Sequence, residues 1–170
     1  ISFGHRRLSI LDLSDAGNQP MHSLNNRFTI IFNGEIYNHL EIRKKLLDKG
    51  FSFWKGNSDT ETLLESIALL GLEKSLEILN GMFAFVLLDK EEKTVTMVRD
   101  RIGEKPLYYG FNNGTFFFGS ELKSFEPHPD WNPSLNYDAI HLYLRHSYIP
   151  TPFSIFKNIY KLEPGNFAVF

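Results

Sequence analysis

Five residues between positions 7 and 59 have the chemistry needed to bind a free amino acid. Arg7 carries a planar guanidinium that can hold a carboxylate through two parallel hydrogen bonds. The carboxylates of Glu35 and Asp59 can hold an ammonium group. Asn33 and Gly34 offer a side-chain amide and an accessible backbone N–H, which can donate to an oxygen that becomes anionic during acyl transfer. Together these residues predict an amino-acid site with an oxyanion hole.

Each of these residues has a simpler explanation when it is taken alone. Asn33-Gly34 is a common tight-turn dipeptide, and the chain contains two more such pairs. An arginine before a short apolar stretch, such as Arg7, is usually a surface residue. Asp59 fits a helix N-terminus, where the helix dipole favours an acid, and Glu35 fits a turn. Only the combination points to one binding site.

A strand and two helices must position these side chains. The run 28–32 is rich in β-branched and aromatic residues and predicts a buried strand that ends on an Asn33-Gly34 turn. Residues 38–49 predict a helix with Asn38 as its cap. The sequence Ser58-Asp59-Thr60-Glu61 predicts the start of a second helix through a capping box.

The remaining pattern predicts an α+β domain with antiparallel sheets. A short helix over 73–79 is followed by a series of strands and then by one more helix, with Tyr137, Ile140 and Leu144 on one face. The predicted strands are 82–88, 94–100, 107–111, 115–119 and 166–170, with the third and fourth joined as a hairpin through 112–114. Helices first and a meander of strands later argue against repeated βαβ units.

Composition excludes several classes of protein. The 170 residues are 42% hydrophobic and 15% aromatic, which indicates one folded domain with a sheet-rich core. The net charge is −2, and the one basic cluster, Arg43-Lys44-Lys45, fits a solvated helix face, so neither nucleic acid nor a membrane is an expected partner. No histidine pair has the i, i+4 spacing of a helical metal site. The lack of cysteine and of a signal peptide or apolar span predicts a cytoplasmic protein.

A series of motifs carries a family resemblance along essentially the whole chain. In order they are Gly4-His5-x-Arg7-Leu8-Ser9-Ile10, Asn33-Gly34-Glu35-Ile36-Tyr37-Asn38, Ser58-Asp59-Thr60-Glu61, Gly81-Met82-Phe83-Ala84-Phe85, Arg99-Asp100-Arg101-x-Gly103-x-Lys105-Pro106-Leu107-Tyr108-Tyr109, Ser120-Glu121-x-Lys123, Tyr148-Ile149-Pro150 and Leu162-x-Pro164-Gly165. The chain resembles the glutaminase domain of glutamine-hydrolysing asparagine synthetases, a class II (N-terminal nucleophile) amidotransferase. The acid at Glu35 and the continuation Ile36-Tyr37-Asn38 favour this subfamily over relatives that make glucosamine phosphate or phosphoribosylamine.

The resemblance implies an Ntn-hydrolase-type αββα four-layer sandwich and a glutaminase site. Arg7, Glu35 and Asp59 would bind L-glutamine, with backbone contacts from Ile10 and Leu11, and Asn33 and Gly34 would form the oxyanion hole. In such enzymes an N-terminal cysteine attacks the glutamine side chain. The released ammonia passes to a C-terminal synthetase domain, which uses ATP and Mg²⁺ to amidate aspartate or a related carboxylate. The glutaminase domain itself needs no cofactor or metal.

The chain departs from this pattern because it contains no cysteine. We therefore expect residues 1–170 to be a piece of the glutaminase domain, without its cysteine segment, its first strands and the synthetase domain, and to be inactive alone. L-glutamine and the enzyme's own synthetase domain are the expected partners, and a homodimer is left open. The alternatives are a catalytically dead glutaminase-like domain kept for structure, or another class II amidotransferase.

Overall fold

The computed structural model describes residues 1–8 and 11–170, which form four α-helices and eight β-strands. In chain order these are β1 (Met21–His22), β2 (Phe28–Ile36), α1 (His39–Asp48), α2 (Asp59–Leu70), α3 (Leu72–Ile78), β3 (Gly81–Asp89), β4 (Thr94–Arg99), β5 (Tyr108–Asn112), β6 (Thr115–Gly119), α4 (Tyr137–His146), β7 (Ile159–Lys161) and β8 (Phe167–Val169). The mixture of helices and antiparallel strand pairs confirms the predicted α+β class.

The chain divides into two compact units, residues 1–97 with 169–170 and residues 98–168. A five-stranded sheet has the order β1-β2-β3-β4-β8. Its longest antiparallel pair joins β2 to β3, from Phe28 opposite Asp89 to Ile36 opposite Gly81. β1 is much shorter and pairs only with Thr29 and Ile30. One edge of β2 beyond Ile30 therefore has no strand partner among the described residues.

The predicted end of the first strand is wrong, because β2 continues through Asn33-Gly34 and Glu35 to Ile36. A Cβ atom on Gly34 would lie only 2.6 Å from the Cα of Phe83 in the facing strand. Glycine is therefore needed here for a close approach of two strands rather than for a turn. Pairing with β3, which lies far away in the sequence, overrides the local turn preference of Asn-Gly.

α1 lies at the predicted position, but Asn38 does not cap it with its side chain. Instead the Asn38 amide donates to the carbonyl of Ile78 at 2.8 Å and accepts from the N–H of Asn80 at 2.9 Å. Asn38 therefore connects the start of α1 to the segment that leads into β3. The cap prediction fails because these long-range partners compete for the side chain.

The start of α2 follows half of the predicted capping box. Ser58 Oγ accepts from the N–H of Glu61 at 3.2 Å. The Glu61 carboxylate binds the N–H groups of Lys55 and Gly56, at 2.7 and 3.0 Å. It also pairs with Arg43, whose guanidinium lies over the ring of Trp54. The prediction that Arg43 lies on a solvated face is therefore wrong, whereas Lys44 and Lys45 are exposed.

The second unit contains a sheet of order β6-β5-β7. The predicted hairpin is confirmed: Asn113 and Gly114 have φ values of 47° and 81° and connect β5 to β6. Its core comprises Phe117, Phe125 and Ile159, with Tyr108, Leu122, Trp131 and Phe156 packed around them.

Two expectations for the second unit need correction. β7 was not predicted, since its three residues are too few to give a periodic pattern. The apolar face predicted for α4 is not buried, because Tyr137 and Leu144 are 67% and 74% exposed. The buried residue of this helix is instead Ala139.

Candidate glutamine site

The hydrogen bonds between β2 and β3 fix the direction of every amide in β2. At one end of the pair Tyr37 donates its N–H to the carbonyl of Asn80, and at the other end Lys90 donates to Arg27. In an antiparallel pair the direct hydrogen bonds recur at every second residue. The odd-numbered residues of β2 therefore bond to β3, and the N–H groups of the even-numbered residues point to the opposite edge.

Two of the amides at this open edge are bound by side chains. Phe32 donates its N–H to Gln19 Oε1 at 2.6 Å, and Ile36 donates its N–H to Asp59 Oδ2 at 2.9 Å. The N–H of Gly34 lies between them, about 6.6 Å along the strand from each. Within residues 1–8 and 11–170 no acceptor is found for this amide. It is thus placed to donate to a ligand oxygen, as an oxyanion hole requires.

Asn33 and Glu35 flank Gly34 and point to the same face of the sheet, because side chains alternate along a strand. Both are half-buried. They lie opposite Ala84 and Met82 of β3. The structure therefore places the predicted oxyanion-hole side chain and one predicted ammonium ligand two residues apart on one surface, on either side of the Gly34 amide.

Asp59 is buried at the first residue of α2, where it contacts the end of β2. One carboxylate oxygen accepts from the N–H of Thr60 and the other from the N–H of Ile36, both at 2.9 Å. A carboxylate offers about four lone-pair positions, so these two bonds leave capacity for an ammonium group. The structure thus brings Asp59 to the backbone of Ile36, the residue after Glu35, and gives it the additional task of holding the β2 edge.

Arg7 is half-buried, and its side chain folds back over its own segment. Nη1 donates to the carbonyl of Ser14 at 3.3 Å, and Nη2 donates to the carbonyl of Asp12. Gly17 lies directly against the guanidinium, since a Cβ there would be 2.8 Å from Nη1. A guanidinium has five N–H donors, so these contacts leave others for a carboxylate.

The backbone contacts predicted for Ile10 and Leu11 remain predictions. Ile10 lies outside the described residues. Leu11 is 42% exposed and directly precedes Asp12, whose carbonyl binds Arg7. Leu11 therefore belongs to the segment around which Arg7 folds.

Asp12 connects the Arg7 segment to α2, and sequence reasoning missed it. Its carboxylate accepts from the hydroxyl and the N–H of Ser14, at 2.6 and 2.9 Å, and from the N–H of Asn57 at 2.7 Å. The Ser14 hydroxyl, followed by these amides and the charge of Arg7, lowers the pKa of Asp12 to about 2, against the opposing effect of burial. The spacing Asp12-x-Ser14, typical of a local turn in which a side chain binds the backbone, was the available signal.

These contacts form one network within the first unit. Arg7 binds the carbonyl of Asp12, the Asp12 carboxylate binds Asn57 just before α2, and Asp59 at the start of α2 binds Ile36 at the end of β2. The network links a cation, two acids and an open amide donor. These are the groups that a zwitterionic amino acid with a side-chain carbonyl requires.

The whole chain, residues 1–170, matches the family model of the glutamine amidotransferase domain. The chain therefore belongs to the glutamine amidotransferase domain family. It is 38% identical to a protein of Methanocaldococcus jannaschii named putative asparagine synthetase [glutamine-hydrolyzing] 2, over all of this chain and 35% of that protein. It is 37% identical to asparagine synthetase [glutamine-hydrolyzing] 1 of Bacillus subtilis, over 98% of this chain and 26% of that protein. The chain thus spans about a quarter to a third of the length of these relatives.

A solved structure of glutamine phosphoribosylpyrophosphate amidotransferase from B. subtilis has a similar fold. It superposes with a TM-score of 0.61 and 26% identity, over 72% of this chain and 28% of that one. The fold is therefore that of the Ntn-type amidotransferases, as expected. Among the described residues no helix is both long and apolar enough to span a membrane.

Proposed function

We propose that residues 1–170 form the glutamine-binding part of the glutaminase domain of a glutamine-hydrolysing asparagine synthetase. The observation that supports this most strongly is the Gly34 amide, which points to the open edge of β2 while both neighbouring amides are bound by side chains. The similarity to glutamine-hydrolysing asparagine synthetases supports the choice of glutamine as the substrate.

Each polar group of L-glutamine has a proposed partner in the site. The α-carboxylate binds the guanidinium of Arg7, and the α-ammonium lies between the carboxylates of Glu35 and Asp59. The side-chain carbonyl oxygen accepts from the Gly34 N–H and from the Asn33 amide. This arrangement directs the carbonyl carbon to a nucleophile and holds the oxygen where negative charge develops.

The proposed nucleophile is a cysteine thiolate from a segment outside these 170 residues, which contain no cysteine. As its sulfur bonds to the carbonyl carbon, the C=O electron pair moves to the oxygen and forms an oxyanion. The α-amine of the cysteine takes the thiol proton and, as the ammonium, gives it to the leaving nitrogen, so that collapse of the intermediate releases ammonia and leaves a thioester. Water then hydrolyses the thioester to glutamate. Thiolate chemistry of this kind suits a reducing compartment such as the cytoplasm.

In the full-length enzyme the ammonia would pass to a synthetase domain. That domain would activate aspartate or a related carboxylate with ATP and Mg²⁺, and the ammonia would displace the activated group to form an amide. The amidotransferase part supplies the nitrogen only. It contributes no residue that we assign to ATP or Mg²⁺.

A second candidate is a domain that keeps the fold but has lost catalysis. The absence of cysteine from these residues is the observation in its favour. The first codons of the gene separate the two candidates, because the glutaminase requires Cys directly after the initiator Met. A gene that encodes another residue there would refute the glutaminase and favour the structural domain.

Arg7 gives the sharpest test of the proposed function. In the full-length enzyme we expect Arg7→Ala to lower kcat/KM for glutamine by about 10- to 150-fold, as for the loss of a charged hydrogen bond worth roughly 1.5–3 kcal/mol. Synthesis from added free ammonia should be unchanged, because ammonia bypasses the glutamine site. Both rates are measured by product formation under saturating ATP and acceptor.

Arg6→Ala is the matched control, since Arg6 is the exposed neighbour of Arg7. It should leave both rates unchanged. An equal loss of the glutamine and ammonia rates in Arg7→Ala would show that Arg7 only stabilises its segment through Asp12 and Ser14. Unchanged use of glutamine would refute the assigned carboxylate site.

A further inference from the structure

The open edge of β2 presents three amides in a row, and two of them are blocked. We propose, on the basis of the proposed function, that Gln19 is a positioning residue. By binding the Phe32 amide it leaves Gly34, within the part of the chain that the structure describes, as the one amide of this edge that is available to the side-chain oxygen of glutamine.

The need for such a residue follows from the geometry of a strand. Amides at Phe32 and Gly34 point the same way and are separated by about 6.6 Å. An open strand edge binds any suitable carbonyl. A glutamine oxygen that bound Phe32 instead would be shifted by this distance from the Gly34 amide, and its carbon would be out of reach of the nucleophile.

Gln19 replaces a missing strand partner. β1 pairs with β2 only as far as Met21 opposite Ile30. The side chain of Gln19 extends to the next open amide, and its Oε1 accepts from Phe32 at 2.6 Å. A side-chain carbonyl thus does what the backbone carbonyl of a longer β1 would do.

The first turn of α2 contains one of the two side chains that bind the open amides, that of Asp59, and contacts the other, that of Gln19. Gln19 Nε2 lies 3.5 Å from Thr60 Oγ1, and the adjacent residue, Asp59, binds the Ile36 amide at 2.9 Å. One helical turn therefore holds the two acceptors on either side of Gly34. This arrangement couples the position of Gln19 to that of Asp59, a proposed ligand of the glutamine ammonium.

The test compares two substitutions in the full-length enzyme. Gln19→Leu keeps the approximate size but removes the acceptor, whereas Gln19→Glu keeps an acceptor for the Phe32 amide. We expect Gln19→Leu to lower kcat for glutamine hydrolysis on the order of 10-fold, less than the roughly 100-fold of a 1 Å misplacement of reacting groups. KM for glutamine should change little, because Arg7, Glu35 and Asp59 remain. Gln19→Glu should retain most of the kcat.

Two inhibitors distinguish positioning from general structural damage. L-glutamate γ-semialdehyde adds the cysteine thiol across its C=O bond and places the resulting oxygen in the oxyanion hole, whereas L-glutamate forms no such adduct. In Gln19→Leu the affinity for the semialdehyde should fall by the same factor as kcat, while the affinity for glutamate stays constant. Asn18→Ala, at the exposed neighbouring residue, is the control and should behave as the parent enzyme.

Every other result contradicts the proposal. Equal weakening of both inhibitors would show that Gln19 only stabilises the fold, and unchanged kcat in Gln19→Leu would show that the Phe32 amide need not be blocked.

Asn33→Ala, measured beside these variants, tests the proposed function itself and should lower kcat by about 100- to 1,000-fold. If that variant loses activity while Gln19→Leu does not, only the role of Gln19 is refuted. If the parent enzyme does not hydrolyse glutamine, or Asn33→Ala hydrolyses it normally, the proposed function is refuted as well.

Discussion

Gly34 in the first unit and Gly110 in the second lie inside strands for the same steric reason. A Cβ on Gly34 would be 2.6 Å from the Cα of Phe83, and a Cβ on Gly110 would be 2.9 Å from the Cα of Ile159. They differ in position, because β5 lies between β6 and β7, whereas residues 1–8 and 11–170 provide no strand partner on one side of β2 at Gly34. A glycine in a strand thus indicates a close approach, and only the open edge makes its amide available to a ligand.

Two arginines show the same contrast. Arg99 is buried and uses all three nitrogens on carbonyls, those of Lys105 at 2.8 Å, Leu162 at 2.6 Å and Gly103 at 2.8 Å. Arg7 is half-buried and binds two carbonyls. Arg99 is buried and therefore closes a loop, whereas the half-buried Arg7 is open enough for its remaining donors to reach a ligand. The start of the long motif, from Arg99 to Lys105, contributes to this loop through the hydrogen bonds of Arg99.

The largest effect expected from this comparison separates the two glycines. In the full-length enzyme, Gly34→Ala and Gly110→Ala should each lower the free energy of unfolding by about 1–3 kcal/mol, because the new methyl group meets the backbone of a neighbouring strand. Only Gly34→Ala should also lower kcat for glutamine, by roughly 100-fold, since it displaces the amide from the substrate oxygen.

Denaturant unfolding and the glutamine rate per folded molecule measure these two effects separately. An equal loss of kcat in Gly110→Ala would remove the distinction between the open and the closed strand. Normal kcat in Gly34→Ala would show that the Gly34 amide does not contact the reacting group.

An effect on stability without an effect on glutamine use is expected at Asp100, the buried acid beside Arg99. Its carboxylate accepts from the amides of Ile102, Glu104 and Lys105, at 3.2, 2.9 and 3.0 Å. Asp100→Asn removes the charge and turns an acceptor into a donor, so it should lower the free energy of unfolding by roughly 1.5–3 kcal/mol. KM for glutamine, measured on folded enzyme, should not change.

The control for Asp100 is Glu126→Gln at an exposed position, where a change within about 0.5 kcal/mol is expected. Urea unfolding at neutral pH gives both values. A raised KM in Asp100→Asn would mean that the Arg99 loop takes part in glutamine binding, which contradicts its assignment as a closed structural loop.

The three Asn-Gly pairs show how far local sequence determines this fold. Asn113-Gly114 forms the predicted hairpin, because two residues with positive φ are all that this turn needs. Asn33-Gly34 forms part of a strand, and a glycine is needed there because the backbone of Phe83 in β3 comes very close. In the third pair, Gly81 begins β3 and likewise lies close to β2, since a Cβ on Gly81 would be 3.0 Å from the Cα of Ile36. The same dipeptide has different structures because distant partners decide two of the three cases.

The candidate site shows the same difference between what local sequence determines and what distant partners determine. The types of Arg7, Asn33, Glu35 and Asp59 suggest their chemistry from sequence, since charge and hydrogen-bonding capacity are properties of single residues. The contributions of Gln19 and Asp12 are not visible there. They consist of hydrogen bonds to amides at Phe32 and Asn57, which are 13 and 45 residues away in the chain.

The smallest expected effect concerns Asp12 and its dependence on pH. Because the pKa of Asp12 is lowered to about 2 in the folded chain, from an ordinary value of 3.8, the ionised carboxylate stabilises the fold above pH 4. That contribution should disappear as the pH falls from 4 through 2. Asp12→Asn should therefore be less stable than the parent at pH 7 and approach it near pH 2, with a KM for glutamine raised a few-fold at pH 7.

Urea unfolding of the variant and the parent at a series of pH values tests this sign. A gap between Asp12→Asn and the parent that widened at low pH would contradict the hydrogen bonds to Ser14 and Asn57. A normal KM together with the expected loss of stability would show that stabilising the Arg7 segment and binding glutamine are separate functions. Asp12 would then hold the loop to α2, and Arg7 would reach the glutamine carboxylate without it. This outcome would make Asp12 resemble Asp100 of the Arg99 loop, an acid that serves structure alone, while Arg7 would keep its place in the glutamine site.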